Sequence, residues 1–333
     1  MNDMPRLRAA RRWLGACTLT LLGTGVAGAA DNPFPERPLR LVVGFAPGGG
    51  ADIVARLVAG KIGAQLGQTV VVENRPGATG TIAADNVARS GPDGYSLFLG
   101  SQSTMVVAPS LFPKLPFDPV KDFAPVSQMV SMPLVLVVNP ALVPGRTVAE
   151  LDEQIRKAGD GGLTYASSGQ GGPQHIAGEL YAHRIGVKVT HVPYKGESAA
   201  LSDVLAGHVP YMFANLPVAK PYLESGKLRA LAVTGLQRDD KSPAVPTMAE
   251  SGFAGFEVLT WYGVFAPART PAPVMDRLYG SIRSALDDAD TRTRLTDQGF
   301  TVLGSKPAEF SAFVRDEVPR WSALIGDIGI RPE

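Results

Sequence analysis

Cysteine is nearly absent: the 333 residues contain one, Cys17. The chain therefore cannot form an internal disulfide, and its stability has to come from a packed core. Histidine is scarce too. His175, His183, His191 and His208 make no H-x-H or H-E-x-x-H pair, so a metal site is not expected. Neither charge is in excess: 32 basic against 31 acidic residues give a formal charge of +1. That balance argues against a nucleic-acid partner and against an acidic, solvating chain. Nucleotide and hydrolase signatures are lacking as well. Gly48-Gly49-Gly50 does not have the spacing of a phosphate loop. Phe45 to Asp52 does not fit G-x-G-x-x-G, because Ile53 stands where glycine is required, and no G-x-S-x-G elbow occurs. No cofactor is expected.

What is present is ordinary globular material, 45% hydrophobic and 19% charged, enough for a real core. At roughly 100–200 residues per domain, the length suggests two domains. The first thirty residues are of another kind. Arg6, Arg8, Arg11 and Arg12 form a basic start. Trp13 to Val26 is apolar or small, and Ala27-Gly28-Ala29 supplies small residues before Asp31-Asn32. This order predicts a secretory signal peptide over 1–30, cleaved near Ala29 or Ala30. A membrane anchor fits less well, because the apolar run falls short of the ~20 residues a span needs. Cleavage removes four arginines, Asp3 and Cys17, which leaves 28 basic and 30 acidic residues. The mature chain is then near −2 and free of thiols, and its expected location is the periplasm.

Along the mature chain, short apolar runs alternate with helical patterns. Leu39 to Phe45 reads as a buried strand. Ile53, Val54, Leu57, Val58, Ile62 and Leu66 then recur at helical steps. Further strands are expected at 70–72, 96–100, 134–138, 163–166, 187–192, 211–213, 228–233 and 260–265. Helices are expected at 81–89, 173–185, 198–205, 218–224, 272–287, 291–298 and 307–325. Thr147 and Glu150 have the spacing of a capping box opening another helix. The proline-bearing stretches 109–123 and 237–255 read as loops. The alternation implies βαβ units, mostly parallel sheets and an α/β fold.

Three strand-loop-helix junctions stand out. The first is Phe45, Ala46, Pro47, Gly48, Gly49, Gly50, Ala51 and Asp52. The second, Ser167 to His175, contains Ser168, Gly169, Gly171, Gly172 and His175. The third, Gly100 to Thr104, contains Ser101, Gln102 and Thr104. A helix N-terminus leaves amide protons without intrahelical partners, its dipole favours negative charge, and glycine lets a ligand come close. Such junctions hold anions without Arg or Lys. In open α/β sheets they lie at the carboxyl ends of strands, where ligands sit. Either glycine loop alone is equally well read as a tight turn. Two of them, each opening a helix in a separate half, favour binding. The loop serines are then hydrogen-bond donors; a hydrolase would need a base within reach of Ser101 or Ser168. His175, in its helix's first turn, is either a ligand contact or a capping residue. Of the adjacent aromatics Trp261 and Tyr262, one faces core and one a cleft, and Trp261 is assigned to the cleft.

At these residues the chain resembles the substrate-binding receptors of tripartite tricarboxylate transporters, the TctC-like or Bug receptors. The likeness covers essentially the whole mature chain. It is carried by Gly44–Asp52, Val72–Gly77, Gly91–Tyr95, Leu115–Pro119, Tyr165–Gly171, His191–Gly196, Asn215-Leu216-Pro217, Leu228–Thr234 and Trp261–Gly263. The resemblance implies a two-domain, periplasmic-binding-protein-like flytrap. Domain 1 would be 31–130 plus 261–333 and domain 2 would be 131–260, with two crossing strands hinged near Val130–Leu134 and Leu259–Gly263. It implies a small organic acid held by main-chain amides of the first two junctions, with Tyr194, Asn215 and Trp261 beside them. The chain would be a monomeric binding protein, not an enzyme, that delivers its ligand to a two-component membrane permease. A sensory role for a signalling receptor needs the same flytrap and is not separated from transport. The chain also departs from the family. Gly172, Ala214, Met105 and Ala108 stand where members often carry a hydroxyl, an acid, a His and an Asn. Fewer polar partners predict a ligand less polar at its far end, an aromatic or short aliphatic acid.

Overall fold

Strand β1 (Leu39–Val43) is buried along its length except at Arg40, as an unbroken apolar run requires. The structure is a computed structural model and describes residues 34–330 apart from 113, 240 and 241. The expected signal peptide, its cleavage site and Cys17 lie outside them. After β1 the chain forms α1 (Gly50–Leu66), β2 (Val70–Asn74), α2 (Thr81–Ala88), β3 (Ser96–Ser101) and the single turn α3 (Ala108–Leu111). Ser101 to Thr104, expected as a polar loop, is instead buried and runs into a π-helical turn at Ser103–Val107. A sixteen-residue strand follows, β4 (Phe123–Val138). Then come α4 (Val148–Ala158), β5 (Thr164–Ser167), α5 (Pro173–Ile185), β6 (Thr190–Pro193) and α6 (Glu197–Ala206). They lead to β7 (Tyr211–Asn215), α7 (Leu216–Glu224), β8 (Arg229–Val233) and β9 (Leu259–Pro267). The chain closes with α8 (Ala272–Asp287), α9 (Ala289–Asp297), β10 (Thr301–Val302) and α10 (Pro307–Asp327).

The strands join in the order β2-β1-β3-β9-β4-β7-β5-β6, with β8 and β10 also on β4. Two lobes result, one at each end of β4. In the first, β1 runs parallel to β2 and β3; in the second, β5 runs parallel to β6 and β7. The pairings of β4 and β9 are all antiparallel, so the sheet is mixed: parallel at its outer parts, antiparallel where the lobes meet. β4 pairs with β9 as far as Pro133 and with β7 from Leu134 onward. It therefore passes from one lobe to the other at that step. Thr234 clasps the crossing: its hydroxyl accepts from Leu134 N–H (2.8 Å) and donates to the Val258 carbonyl (2.5 Å). Pro133, which has no N–H to contribute to a ladder, suits the point where the strand changes partners.

Each lobe buries its sheet under helices. One apolar cluster, including Phe98, Phe265, Trp261, Phe310, Tyr165 and Phe213, extends through both lobes. A second lies under α1 and α8, and a third under α6 and α7. The capping box of α4 is present: Thr147 Oγ1 accepts from Glu150 N–H (3.2 Å) and Glu150 Oε2 from Thr147 N–H (2.9 Å). Among the described residues, no helix is long and apolar enough to cross a membrane.

Candidate ligand-binding site

A cavity of about 410 Å³ lies where strand ends and helix starts from both lobes converge. The first lobe contributes Phe45, Gly49, Gly50, Ala51, Thr79, Ser101, Gln102, Ser103 and Tyr262 to its wall, and Thr260 joins them from the crossing stretch of β9. The second contributes Ser168, Gly169, Gln170, Gly172, Pro173, Gln174, Gly196, Glu197 and Asn215. Among the described residues, no Arg, Lys or His belongs to this lining.

The first-lobe wall is built around the start of α1. Gly49 is its N-cap, so the amides of the following residues have no carbonyl of the helix to bond. Ala46, Pro47, Gly48 and Asp52, expected in the site, do not line the cavity; they shape the loop that does. Gly48 turns the chain at φ +83° and donates its N–H to Asp52 Oδ2 (2.9 Å). Asp52, 4% exposed, also accepts from Arg56 Nε (2.9 Å) and Asn74 Nδ2 (3.0 Å). Burial pushes its carboxyl up, but these three donors outweigh that and hold the pKa below the usual carboxylate value. Asn74 also bonds the Phe45 carbonyl (3.1 Å). Thr104 is likewise a support: its hydroxyl bonds the Thr79 carbonyl (2.7 Å) and Ser101 Oγ (3.2 Å).

The second-lobe wall is a chain of side chains. Ser168 Oγ donates to Gln174 Oε1 (2.8 Å), and the Gln174 side chain lies near enough to Glu197 to lower its pKa. Glu197 Oε1 accepts from Asn215 N–H (2.5 Å) and Oε2 from Asn215 Nδ2 (2.6 Å). Protein surrounds Glu197, but part of its surface stays open in the cavity wall. Burial pushes its pKa up to about 7, against the lowering effect of Asn215 and Gln174.

Behind this wall sit residues that were expected in it. Gly171 donates its N–H to His175 Nδ1 (3.1 Å), so His175 caps the loop. The His175 ring stacks on His191 (4.1 Å), and His191 on Tyr165 (5.0 Å). Burial and then the neighbouring His191 drive the His175 pKa down to about 3; burial brings His191 to about 4. Both rings are therefore neutral at pH 7. Tyr194 turns its hydroxyl to Asp203 on α6 (2.5 Å). Trp261, 2% exposed, packs edge-on against Phe310 and Phe313 (5.7 Å each), while Tyr262 lines the cavity. Neighbouring residues of a strand point to opposite faces, and the assignment of this pair is reversed here. Met105, Ala108 and Ala214 are fully buried in the apolar clusters and their surroundings, away from the lining. Of the four departures from the family pattern, only Gly172 reaches the cavity, so the expected loss of polarity there rests on one position.

The remaining expected residues, Phe45, Gly49, Gly50, Ala51, Ser101, Gln102, Ser168, Gly169, Gly172 and Asn215, all line the cavity. Glu197, Gln174 and Tyr262 are among the lining residues that were not expected. Glu197 opens α6 directly after Gly196, at a fourth strand-loop-helix junction of the same form as the others, and that form was the available signal. Neither loop serine bonds a base: Ser101 pairs with Thr104, and Ser168 with Gln174. Ser167 does meet a base, His191 Nε2 (2.6 Å), but Ser167 is fully buried.

Comparison with known proteins identifies the family. Residues 54–330 match the family of tripartite tricarboxylate transporter family receptors. The BugT protein of Bordetella pertussis is 36% identical over 324 residues, covering 96% of this chain and 98% of BugT. Rpa4515 of R. palustris, solved with adipate, is 34% identical with a TM-score of 0.82, covering 90% of this chain and all of that one. MatC of Rhodopseudomonas palustris, solved with bound malate, is 37% identical with a TM-score of 0.78, covering 88% of this chain and all of MatC. Two lobes, a shared cleft lined by helix starts, and a match running from α1 to residue 330 lead to one assignment: the chain belongs to the tripartite tricarboxylate transporter receptor family.

Proposed function

We propose that this receptor is exported to the periplasm by removal of residues 1–30, captures a small carboxylate between its lobes, and delivers it to a two-component membrane permease. One observation carries the reading. The starts of α1 and α5 face a single cavity from opposite lobes, and no cationic side chain shares that lining among the described residues. Main-chain amides at a helix start take a carboxylate by hydrogen bonding and dipole. Relatives solved with adipate and malate support a carboxylate as the class.

The mechanism is capture by closure. We take the domains as 31–130 plus 261–333 and 131–260, with hinges in β4 near Val130–Leu134 and in β9 near Leu259–Gly263. A ligand that meets both walls only when the lobes close shifts the population by its differential affinity. Binding then stabilises the fold by mass action, about 2.7 kcal/mol at a hundredfold excess over Kd. Thermal unfolding across mono-, di- and tricarboxylates and amino acids tests this. At least one is expected to raise Tm by several degrees, with saturable heats in calorimetry. A flat response across all four classes rejects the reading.

A further inference from the structure

The second-lobe wall holds a carboxyl group that needs a counterpart. Glu197 already receives two hydrogen bonds, both from Asn215, yet no Lys, Arg or His acts on it. The Tyr262 phenol faces it from the first lobe; burial and then Glu197 itself hold that phenol in its neutral form. Three further polar atoms on the same lining lack partners, the Thr260 hydroxyl among them. With Asn215 Nδ2 committed to Glu197, Asn215 Oδ1 is left over, and Gln102 Oε1, on a side chain 2% exposed, is also unpaired. Two side-chain donors on this wall are meanwhile in use: the Asn215 amide serves Glu197, and the Ser168 hydroxyl serves Gln174.

Building on the carboxylate reading above, we propose that Glu197 makes the cleft selective for a zwitterion. The ligand's carboxylate meets the amides at the start of α1. Its primary ammonium, at the opposite end, meets Glu197 and the spare acceptor of Asn215. An ammonium has three donors and no acceptor, which matches the Glu197 carboxylate and the unpaired Asn215 Oδ1. A second carboxylate at the same place meets an anion, and like charges at short range disfavour each other. Glu197 thus occupies the position that a dicarboxylate's second anion would need.

The test compares matched probes by calorimetry at pH 8: 4-aminobutyrate against glutarate, and 5-aminopentanoate against adipate. The amino acid of each pair is expected to bind at least tenfold more tightly. Glu197→Gln is expected to reduce that ratio tenfold or more, by weakening the amine and admitting the diacid. Should Glu197→Gln not fold, the wild-type protein decides by pH. From pH 8 to 6, protonation of Glu197 is expected to weaken the amines and strengthen the diacids. Diacids preferred at pH 8, or a ratio that neither Glu197→Gln nor pH moves, overturns the proposal. Binding of pentanoate with neither pair bound also overturns it, while leaving carboxylate capture intact. No binding by any acid removes carboxylate capture itself.

Discussion

The two walls of the cleft start from the same element, a glycine-bearing turn between a strand end and a helix start, and finish with different chemistry. The first-lobe wall offers main chain. Its one nearby carboxylate, Asp52, is turned into the loop and neutralised there by Gly48, Arg56 and Asn74. The second-lobe wall offers side chains set in series, Ser168 to Gln174 to Glu197 to Asn215, with a carboxyl that has no cation beside it. A main-chain wall holds any carboxylate in much the same way. A side-chain wall discriminates, because one substitution changes its charge. On the proposal above, this difference sets the choice of ligand in the second lobe.

The sharpest way to break this comparison is at Gly49. A Cβ added there meets nothing closer than the Ala46 carbonyl at 3.7 Å, so the fold tolerates a side chain. The residue is on the lining, however, and a branched side chain stands between the ligand and the α1 amides. Gly49→Val is expected to weaken binding at least thirtyfold, about 2 kcal/mol, with Tm of the free protein unchanged. Full affinity in calorimetry would mean that the first wall does not grip through its main chain.

The sequence makes some of this contrast legible and hides the rest, for physical reasons. Helix α5 starts and ends where expected because Pro173 and Gly186 mark its two ends. The first eleven residues of β4 are not legible. Pro125, Pro133, Ser127 and Gln128 break the apolar run, yet the strand survives because β9 pairs with it along that whole stretch, with register shifts beside Pro125 and Gln128. Glycine loops announce a close backbone approach, so the main-chain wall could be read. The side-chain wall is assembled from α5, α6 and β7, and nothing local says that Gln174, Glu197 and Asn215 meet. Trp261 and Tyr262 illustrate the same limit: adjacent aromatics on a strand give no sign of which face is the cleft.

A smaller effect is expected at Gly171, where the lobes touch. Gly171 has φ +71°, and a Cβ there would lie 2.6 Å from Leu111 Cδ1 of α3, across the cleft. Left-handed backbone costs an alanine about 1–2 kcal/mol, and that strain is present whether the lobes are open or closed. The clash with Leu111 opposes closure alone. Gly171→Ala should therefore lower Tm by a few degrees and weaken binding about tenfold, roughly 1.4 kcal/mol. Adding Leu111→Ala should restore most of the affinity and none of the Tm loss due to strain. If the double variant binds no better than Gly171→Ala, the contact does not report closure.

The smallest effect is silent at neutral pH and separates the walls by titration. Only the second wall has imidazoles behind it, His175 stacked on His191, with pKa values pushed down to about 3 and about 4. Unfolding returns each to about 6.5, so the unfolded chain binds more protons between those limits. Their contribution to stability is complete above about pH 6.5 and is lost as pH falls toward the folded values. Glu179, whose Oε1 is 3.9 Å from His175 Nε2, has its pKa raised by burial and works in the opposite direction. Glu197 does the same. The wild-type slope is therefore a difference of terms, and the imidazole part has to be isolated by substitution. His175→Gln and His191→Gln are each expected to flatten the fall of Tm between pH 6.5 and 4, while binding at pH 8 stays within a few-fold of wild type. An unchanged slope in both variants would show that the stacked pair does not hold the second wall in place.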